Sequence, residues 1–163
     1  MRSLASLPSR SLRSSFVVIS MFGSLNGVAT GCGGSSEAFS EPMTLGGQEV
    51  SAEVLNRGAR VYALFCVSCH AGDGSGRGNA ARSFDKPPRD VREADFEYVS
   101  GVAGSLPTDE DLATTITQGR PGTGMPAWNG LSAEDRHAVI QYLKTFSPRW
   151  KTETPTPAGE AEP

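Results

Sequence analysis

Cysteine, histidine and methionine are scarce in this sequence, and the usual catalytic motifs are absent. The 163 residues include three cysteines, two histidines and four methionines. There is no G-x-S-x-G, no H-E-x-x-H and no phosphate-binding loop with its lysine, so nothing in these patterns indicates catalysis. No segment alternates convincingly like a strand, and no internal repeat is visible. These absences favour a small all-α protein whose chemistry depends on a few residues.

Two of the three cysteines stand in the run CVSCH at residues 66–70. C-x-x-C-H is the attachment signature of a c-type haem, in which each thiol adds across one vinyl group and the histidine ligates the iron. A thioredoxin-like dithiol would need a βαβ context and makes no use of the histidine. Half of a zinc site would need a second pair of ligands, which this composition scarcely offers. The run therefore predicts one covalent haem held by Cys66, Cys69 and His70.

Met125 is the best candidate for the second axial ligand of the iron. Gly122 and Gly124 precede it and Pro126 follows it, which predicts a non-helical loop that can present a thioether. It lies 55 residues after His70, enough chain to return on the other face of a haem. The alternative is a methionine that only fills the core.

His137 is the rival ligand, and its helical position argues against it. The C-terminal helix predicted after the N-cap Ser132 has an apolar stripe formed by Val139, Tyr142, Leu143 and Phe146. His137 lies off this stripe, near Gln141 and Lys144. We therefore predict a solvated surface histidine.

Two further helices can be predicted from their caps. Ser51 would cap a helix that runs from Ala52 through the haem-binding run, and Thr108 would cap a short helix closed by Gly119. Gly58 weakens the first helix, which predicts a close approach of the C-terminal helix at that residue.

These features together resemble the class I, monohaem c-type cytochromes in a bacterial lipoprotein form. The resemblance covers roughly residues 50–149 and rests on CVSCH at 66–70, on Met125-Pro126, and on Gly58, Tyr62 and Tyr142. It implies a small all-α cytochrome c-like fold, with the N- and C-terminal helices packed together around one covalently bound haem c. In this family a proline carbonyl accepts a hydrogen bond from the proximal histidine, and Pro87 and Pro88 are the available residues.

The resemblance implies one-electron transfer rather than catalysis. Ligation by His70 and Met125 would leave no open iron position, and the thioether would favour ferrous iron. The protein would be a carrier or a small subunit in a respiratory-type electron transport chain. The alternative function is a haem-based sensor or peroxidase-like enzyme in which Met125 can be displaced.

The ends of the chain predict export and a membrane anchor. Residues 1–31 contain three arginines, no acidic residue and a short apolar run, which is typical of a signal peptide. The segment ends at Ala29-Thr30-Gly31-Cys32, which resembles a bacterial lipoprotein processing site, so Cys32 would become a lipidated N-terminus on the periplasmic side of a membrane. Plain cleavage or an uncleaved anchor are the alternatives. Residues 32–49 read as a flexible tether and 150–163 as a disordered tail around the domain at 50–149.

The charge of the chain bears on its partners. Removal of the leader leaves 12 basic and 18 acidic residues, a net charge of −6. This balance argues against nucleic acid and favours redox protein partners with a basic docking face. A local basic group would pair with a haem propionate, line the haem edge or remain solvated; it comprises Arg82, Lys86, Arg89 and Arg92.

Overall fold

Helices make up most of the regular structure in the described residues, 39–97 and 99–156 of the computed structural model. Two short strands, β1 (Met43–Leu45) and β2 (Gln48–Val50), precede α1 (Ala52–Phe65), α2 (Val67–His70), α3 (Asp109–Gln118), α4 (Ala133–Lys144) and α5 (Arg149–Thr152). The 3-10 helices Asn79–Ser83 and Val91–Glu93 lie between α2 and α3. The predicted leader, Cys32 and the last seven residues lie outside the described part of the chain. None of the helices described is long and apolar enough to span a bilayer.

The helices α1 and α4 form the most extensive contact between elements, which confirms the predicted pairing of the terminal helices. A Cβ added to Gly58 would lie 2.1 Å from the carbonyl oxygen of Ala138, so the two backbones touch. One turn further on, the Tyr62 ring of α1 meets the Tyr142 ring of α4 edge-on, with centroids 5.4 Å apart. The predicted reason for a glycine at position 58 is therefore confirmed.

Hydroxyl side chains begin three helices at the predicted positions. Each accepts a hydrogen bond from the backbone N–H three residues on, at 3.3 Å for Ser51, 3.2 Å for Thr108 and 3.0 Å for Ser132. The predicted extent of the first helix is wrong. It ends at Phe65, and after a break at Cys66 a separate turn, α2, carries the rest of the motif.

The strands β1 and β2 form an antiparallel hairpin in a stretch where the sequence predicts a flexible tether and no strand. Leu45 is fully buried, and the Gly46 N–H donates to the Trp150 carbonyl at 2.6 Å. Each strand has only three residues, too few for a visible alternation. The usable signal was the pair Gly46-Gly47, which adopts the positive φ angles of a tight hairpin turn.

The start of the C-terminal segment belongs to the domain as well. Trp150 in α5 is 1% exposed, whereas the sequence places it in a disordered tail. The Arg149 guanidinium donates to the carbonyls of Ala94 and Gly104, both at 3.0 Å, which fixes α5 against the preceding loops. One large aromatic at the edge of a polar stretch gives no periodicity to detect, so burial here depends on tertiary contacts.

The α4 helix buries part of the face that the sequence presents as polar. Gln141 and Lys144 are 0% and 2% exposed. Lys144 Nζ lies 2.5 Å from a carboxylate oxygen of Asp109 in α3, and Gln141 donates to the other oxygen at 2.6 Å. This ion pair joins α3 to α4, so the helix that precedes the Met125 loop is held by a charge pair whose ammonium is buried.

Candidate haem-attachment site

The motif predicted to attach haem lies at the junction of α1 and α2. The backbone N–H groups of Cys69 and His70 both donate to the Cys66 carbonyl, at 3.1 and 2.9 Å. One helical turn therefore brings the two thiols and the imidazole together. Cys66 and Cys69 are half-buried and are not joined by a disulfide. Both thiols are therefore available for thioether bonds.

The protonation of these groups fits covalent haem better than a redox dithiol. Burial, with a smaller contribution from Cys69, raises the pKa of the Cys66 thiol to about 11. Disulfide oxidoreductases use a thiol whose pKa is lowered, so this environment disfavours that interpretation. Burial also lowers the pKa of His70, which favours the neutral imidazole that binds metals.

His70 Nδ1 is buried and has no hydrogen-bond partner. Leaving a buried polar atom unsatisfied costs about 1–3 kcal/mol, so this nitrogen calls for a hydrogen-bond acceptor. A neutral imidazole that carries its proton on Nδ1 has its lone pair on Nε2, which is then the nitrogen that can bind a metal. Two free thiols, a neutral imidazole and a thioether in a nearby loop form a donor set that a c-type haem can use. The residues present therefore fit the group.

The loop that follows the motif holds α2 in place through backbone hydrogen bonds. Gly76 N–H donates to the His70 carbonyl and Gly78 N–H to the Cys69 carbonyl, both at 3.0 Å. The Tyr62 hydroxyl donates to the Ala71 carbonyl at 2.7 Å, at a residue whose φ of +63° an alanine rarely adopts. The backbone is thus held at His70 itself and at both of its neighbours, Cys69 and Ala71.

Met125 lies half-buried in a compact loop, as its glycine and proline neighbours predict. Its carbonyl accepts from the Arg120 N–H at 3.0 Å, and its own N–H donates to the Thr123 hydroxyl at 3.2 Å. Trp128 N–H donates to the Ile116 carbonyl at 3.0 Å, which attaches the base of the loop to α3.

Two contacts that the sequence did not single out join the Met125 loop to the attachment motif. The Phe65 ring, next to Cys66, packs on the Trp128 ring with centroids 5.2 Å apart. The Phe84 ring lies against Gly124, next to Met125. Phe65 and Gly124 are sequence neighbours of Cys66 and Met125, whereas nothing near Phe84 in the sequence signals its contact. Cys66 and Met125 pack against the same hydrophobic core, so the structure brings the predicted ligand segments together.

The remaining candidates lie away from this cluster. His137 is exposed on α4, as predicted. Arg89 pairs with Glu97 at 3.0 Å, and Arg92 pairs with Asp90 and Asp73, so carboxylates already bind two members of the basic group. In residues 39–97 and 99–156, no three His, Cys, Asp or Glu side chains converge as a metal-binding group.

Known proteins resemble this chain over the segment that carries the site. The family model described as cytochrome C oxidase, cbb3-type, subunit III matches residues 53–143. A chain of the Kuenenia stuttgartiensis reducing HAO-like protein complex Kustc0457/Kustc0458 is 37% identical with a TM-score of 0.60, over 62% of this chain and 46% of that chain. The KustC0563 c-type cytochrome is 25% identical with a TM-score of 0.40, over 55% of this chain and 96% of that one. Cytochrome CL from the marine methylotrophic bacterium Methylophaga aminisulfidivorans MPT is 17% identical with a TM-score of 0.43, over 57% of this chain and 53% of that one.

The family match covers more than half of the chain and includes both the attachment motif and Met125. This chain spans less than half of the length of the Kuenenia chain that it matches. The cytochrome c-like fold, the free thiols and the half-buried histidine agree with the match. The chain therefore belongs to the family of the cbb3-type cytochrome c oxidase subunit III and is a c-type cytochrome.

Proposed function

We propose that this chain is a single-haem electron carrier whose iron has His70 and Met125 as axial ligands. Cys66 and Cys69 would hold the haem through two thioether bonds. The observation that carries the proposal is the convergence of the two ligand segments, in which Phe65 packs on Trp128 with ring centroids 5.2 Å apart.

A bound haem would supply one iron that accepts and releases a single electron. The residues around it determine its environment. His70 offers a neutral imidazole because burial lowers its pKa. Met125 offers a soft thioether, which favours ferrous iron and raises the reduction potential relative to a second histidine. With both axial positions taken, the protein would bind and orient the group without opening it to oxygen or peroxide.

Pro88, rather than Pro87, is the better acceptor for a hydrogen bond from His70 Nδ1. A Cβ on Gly76 would lie 2.3 Å from the Pro88 carbonyl oxygen, and Gly76 itself is bonded to the His70 carbonyl. The Pro88 carbonyl is therefore held beside the segment that follows the histidine, whereas Pro87 is exposed. A bond of this kind would fix the ring and raise its basicity.

The ligand assignment can be tested by substitution. Cys66→Ala and Cys69→Ala should each leave the haem attached by one thioether, and the double variant should lose it on denaturing electrophoresis stained for haem. Met125→Ala should keep the covalent haem but lose the red methionine–iron charge-transfer band and gain carbon monoxide binding. A Met125→Ala protein with an unchanged band would refute the distal assignment.

The surface beside the motif fits a protein partner. Leu64 is 75% exposed, Phe65 39% and Val67 36%, three large apolar residues that flank Cys66. Apolar residues at the attachment site would bury against a redox protein that docks over the haem edge. The Kuenenia relative is a component of a complex, which supports a subunit or a docked carrier here.

Cys32 is proposed as a lipid anchor on the periplasmic side of a bacterial membrane. The described structure begins at Phe39, whose backbone exchanges two hydrogen bonds with the buried Asn56 side chain, at 3.1 and 2.7 Å. Seven residue steps separate Cys32 from this fixed point, and such a chain spans at most about 25 Å. A lipidated Cys32 would therefore hold the domain close to the bilayer.

Fractionation tests the anchor independently of the haem. The wild-type protein should remain in washed membranes and the Cys32→Ser protein should be released from them. Mass spectrometry of the N-terminal peptide should find acyl chains on Cys32. A Cys32→Ser protein that stays with the membranes would refute the proposal.

A further inference from the structure

We propose that Phe84 is a positioning residue for Met125: its ring, seated against Gly124, sets where the methionine loop lies relative to the attachment motif. The inference rests on the proposed ligation by Met125. It concerns a residue outside the attachment motif and outside the loop that carries the methionine.

Phe84 is tied to the motif by a series of backbone hydrogen bonds. The Cys69 carbonyl accepts from Gly78, the Gly78 carbonyl from Ala81, and the Ala81 carbonyl from Phe84, at 3.0, 3.0 and 3.3 Å. The last two bonds belong to the 3-10 helix Asn79–Ser83 and its flanks, which pack against α2. The position of the Phe84 ring therefore follows the position of the second cysteine.

Gly124 receives that ring on the other side. A Cβ on Gly124 would lie 2.2 Å from Phe84 Cδ1 and 2.3 Å from Cε1, so no side chain fits between them. Gly124 is not among the residues with positive φ, so its backbone would accept an alanine, and the three nearest atoms that the added methyl would meet all belong to the Phe84 ring. The glycine is needed here for the contact and not for its conformation.

The loop transmits the contact to Met125 because it is closed on itself. The Arg120 N–H donates to the Met125 carbonyl, and the Met125 N–H donates to the Thr123 hydroxyl. The N–H and the hydroxyl of Thr123 both donate to the Arg120 carbonyl. A displacement at Gly124 therefore carries the adjacent methionine with it. Phe84 acts from the side of the motif, as Trp128 does through Phe65.

Substitutions that change the side-chain size at positions 84 and 124, singly and together, test this contact in the haem-loaded protein. Gly124→Ala should force the Phe84 ring aside, and Phe84→Ala should remove the ring that supports the methionine loop. In each variant the imidazole concentration that displaces Met125 from ferric iron should fall by about tenfold. The double variant Phe84→Ala/Gly124→Ala should return towards the wild-type value, since the new methyl occupies space that the ring vacates. Phe84→Leu should keep most of the wild-type resistance.

Gly130→Ala is the matched control, because no atom lies within 4 Å of a Cβ at that glycine. It should leave the imidazole titration and the methionine–iron band unchanged. Single variants that behave like wild type, or a double variant whose effect is the product of the two singles, would overturn the role of Phe84. A wild-type protein without the methionine–iron band would overturn the ligand assignment as well. If Gly124→Ala fails to retain haem, Phe84→Ala and Phe84→Leu still decide the question.

Discussion

Gly58 of α1 lies directly against the backbone of Ala138 in α4. A Cβ on Gly58 would be 2.1 Å from the Ala138 carbonyl oxygen and 2.7 Å from the Cβ of Tyr142. Neither atom is the end of a flexible side chain, so the helices would have to separate to admit a methyl group. This contact fixes the distance between α1, which ends at the haem-binding motif, and α4.

Gly58→Ala should therefore destabilise the protein although alanine is the better helix former. The propensity gain is about 1 kcal/mol, whereas overpacking costs about 1–3 kcal/mol or more, and backbone contacts lie at the upper end. We expect a net loss of about 2 kcal/mol in urea denaturation followed by circular dichroism. Gly130→Ala, at a glycine with open space around it, should stay close to wild type. A Gly58→Ala protein as stable as wild type would contradict the close approach.

Substituting Asp109 and substituting Lys144 should cost unequal amounts of folding stability. Asp109→Asn leaves the fully buried ammonium without a counter-charge and should cost about 3 kcal/mol. Lys144→Met leaves a carboxylate whose side chain is 38% exposed and keeps its bond from Gln141, so the loss should be about 1 kcal/mol. The double variant should be more stable than Asp109→Asn alone. Equal losses in chemical denaturation of the two single variants would show that burial of the charge does not decide the energetics.

The pair Arg57–Asp135 predicts a pH dependence of stability. The hydrogen bond from the Arg57 guanidinium at 2.8 Å, followed by that from the Ser132 hydroxyl, holds the pKa of Asp135 below its usual range. Because the folded pKa is the lower one, the stabilisation is complete above the unfolded value of about 3.9 and is lost as the pH falls through the folded pKa.

Asp135→Asn should accordingly be less stable than wild type near neutral pH, and the difference should shrink as the pH falls below about 4. Denaturant titrations at several pH values measure it. In an Arg57→Leu background the same substitution should have a weaker pH dependence. A difference between Asp135→Asn and wild type that stays constant down to acid pH would show that the carboxylate gains nothing from Arg57.

Replacing an apolar residue beside the motif should weaken docking to the redox partner without changing the redox properties of the haem. Leu64→Ser should lower the rate of electron exchange with washed membranes of the source organism by about tenfold, because burying a leucine contributes about 1.5–3 kcal/mol. Reduction by ascorbate and the reduction potential should stay unchanged. Val102→Ser is the matched control, since Val102 is also an exposed apolar residue, at 49%, but lies far along the chain from the motif. Equal effects of the two substitutions would refute a specific surface at Leu64.

The features that could be predicted from the sequence are those that depend on local patterns. The three capping hydroxyls and the glycine at the helix crossing could be predicted because each follows from chemistry within one or two turns. The hairpin, Trp150 and the buried Lys144 could not, since their burial depends on residues distant in the chain. The motif predicted its own chemistry from spacing alone, and the contacts Phe65–Trp128 and Phe84–Gly124 became visible only when the fold brought the two segments together.

The most direct test of the central claim is the absorption spectrum of the purified full-length protein, ferric and ferrous, before and after carbon monoxide. His70 and Met125 as the two axial ligands predict a low-spin spectrum, a methionine–iron charge-transfer band in the ferric form and a ferrous form that carbon monoxide leaves unchanged. A high-spin ferrous protein that binds carbon monoxide would contradict a closed electron carrier and favour a sensor or a peroxidase-like enzyme.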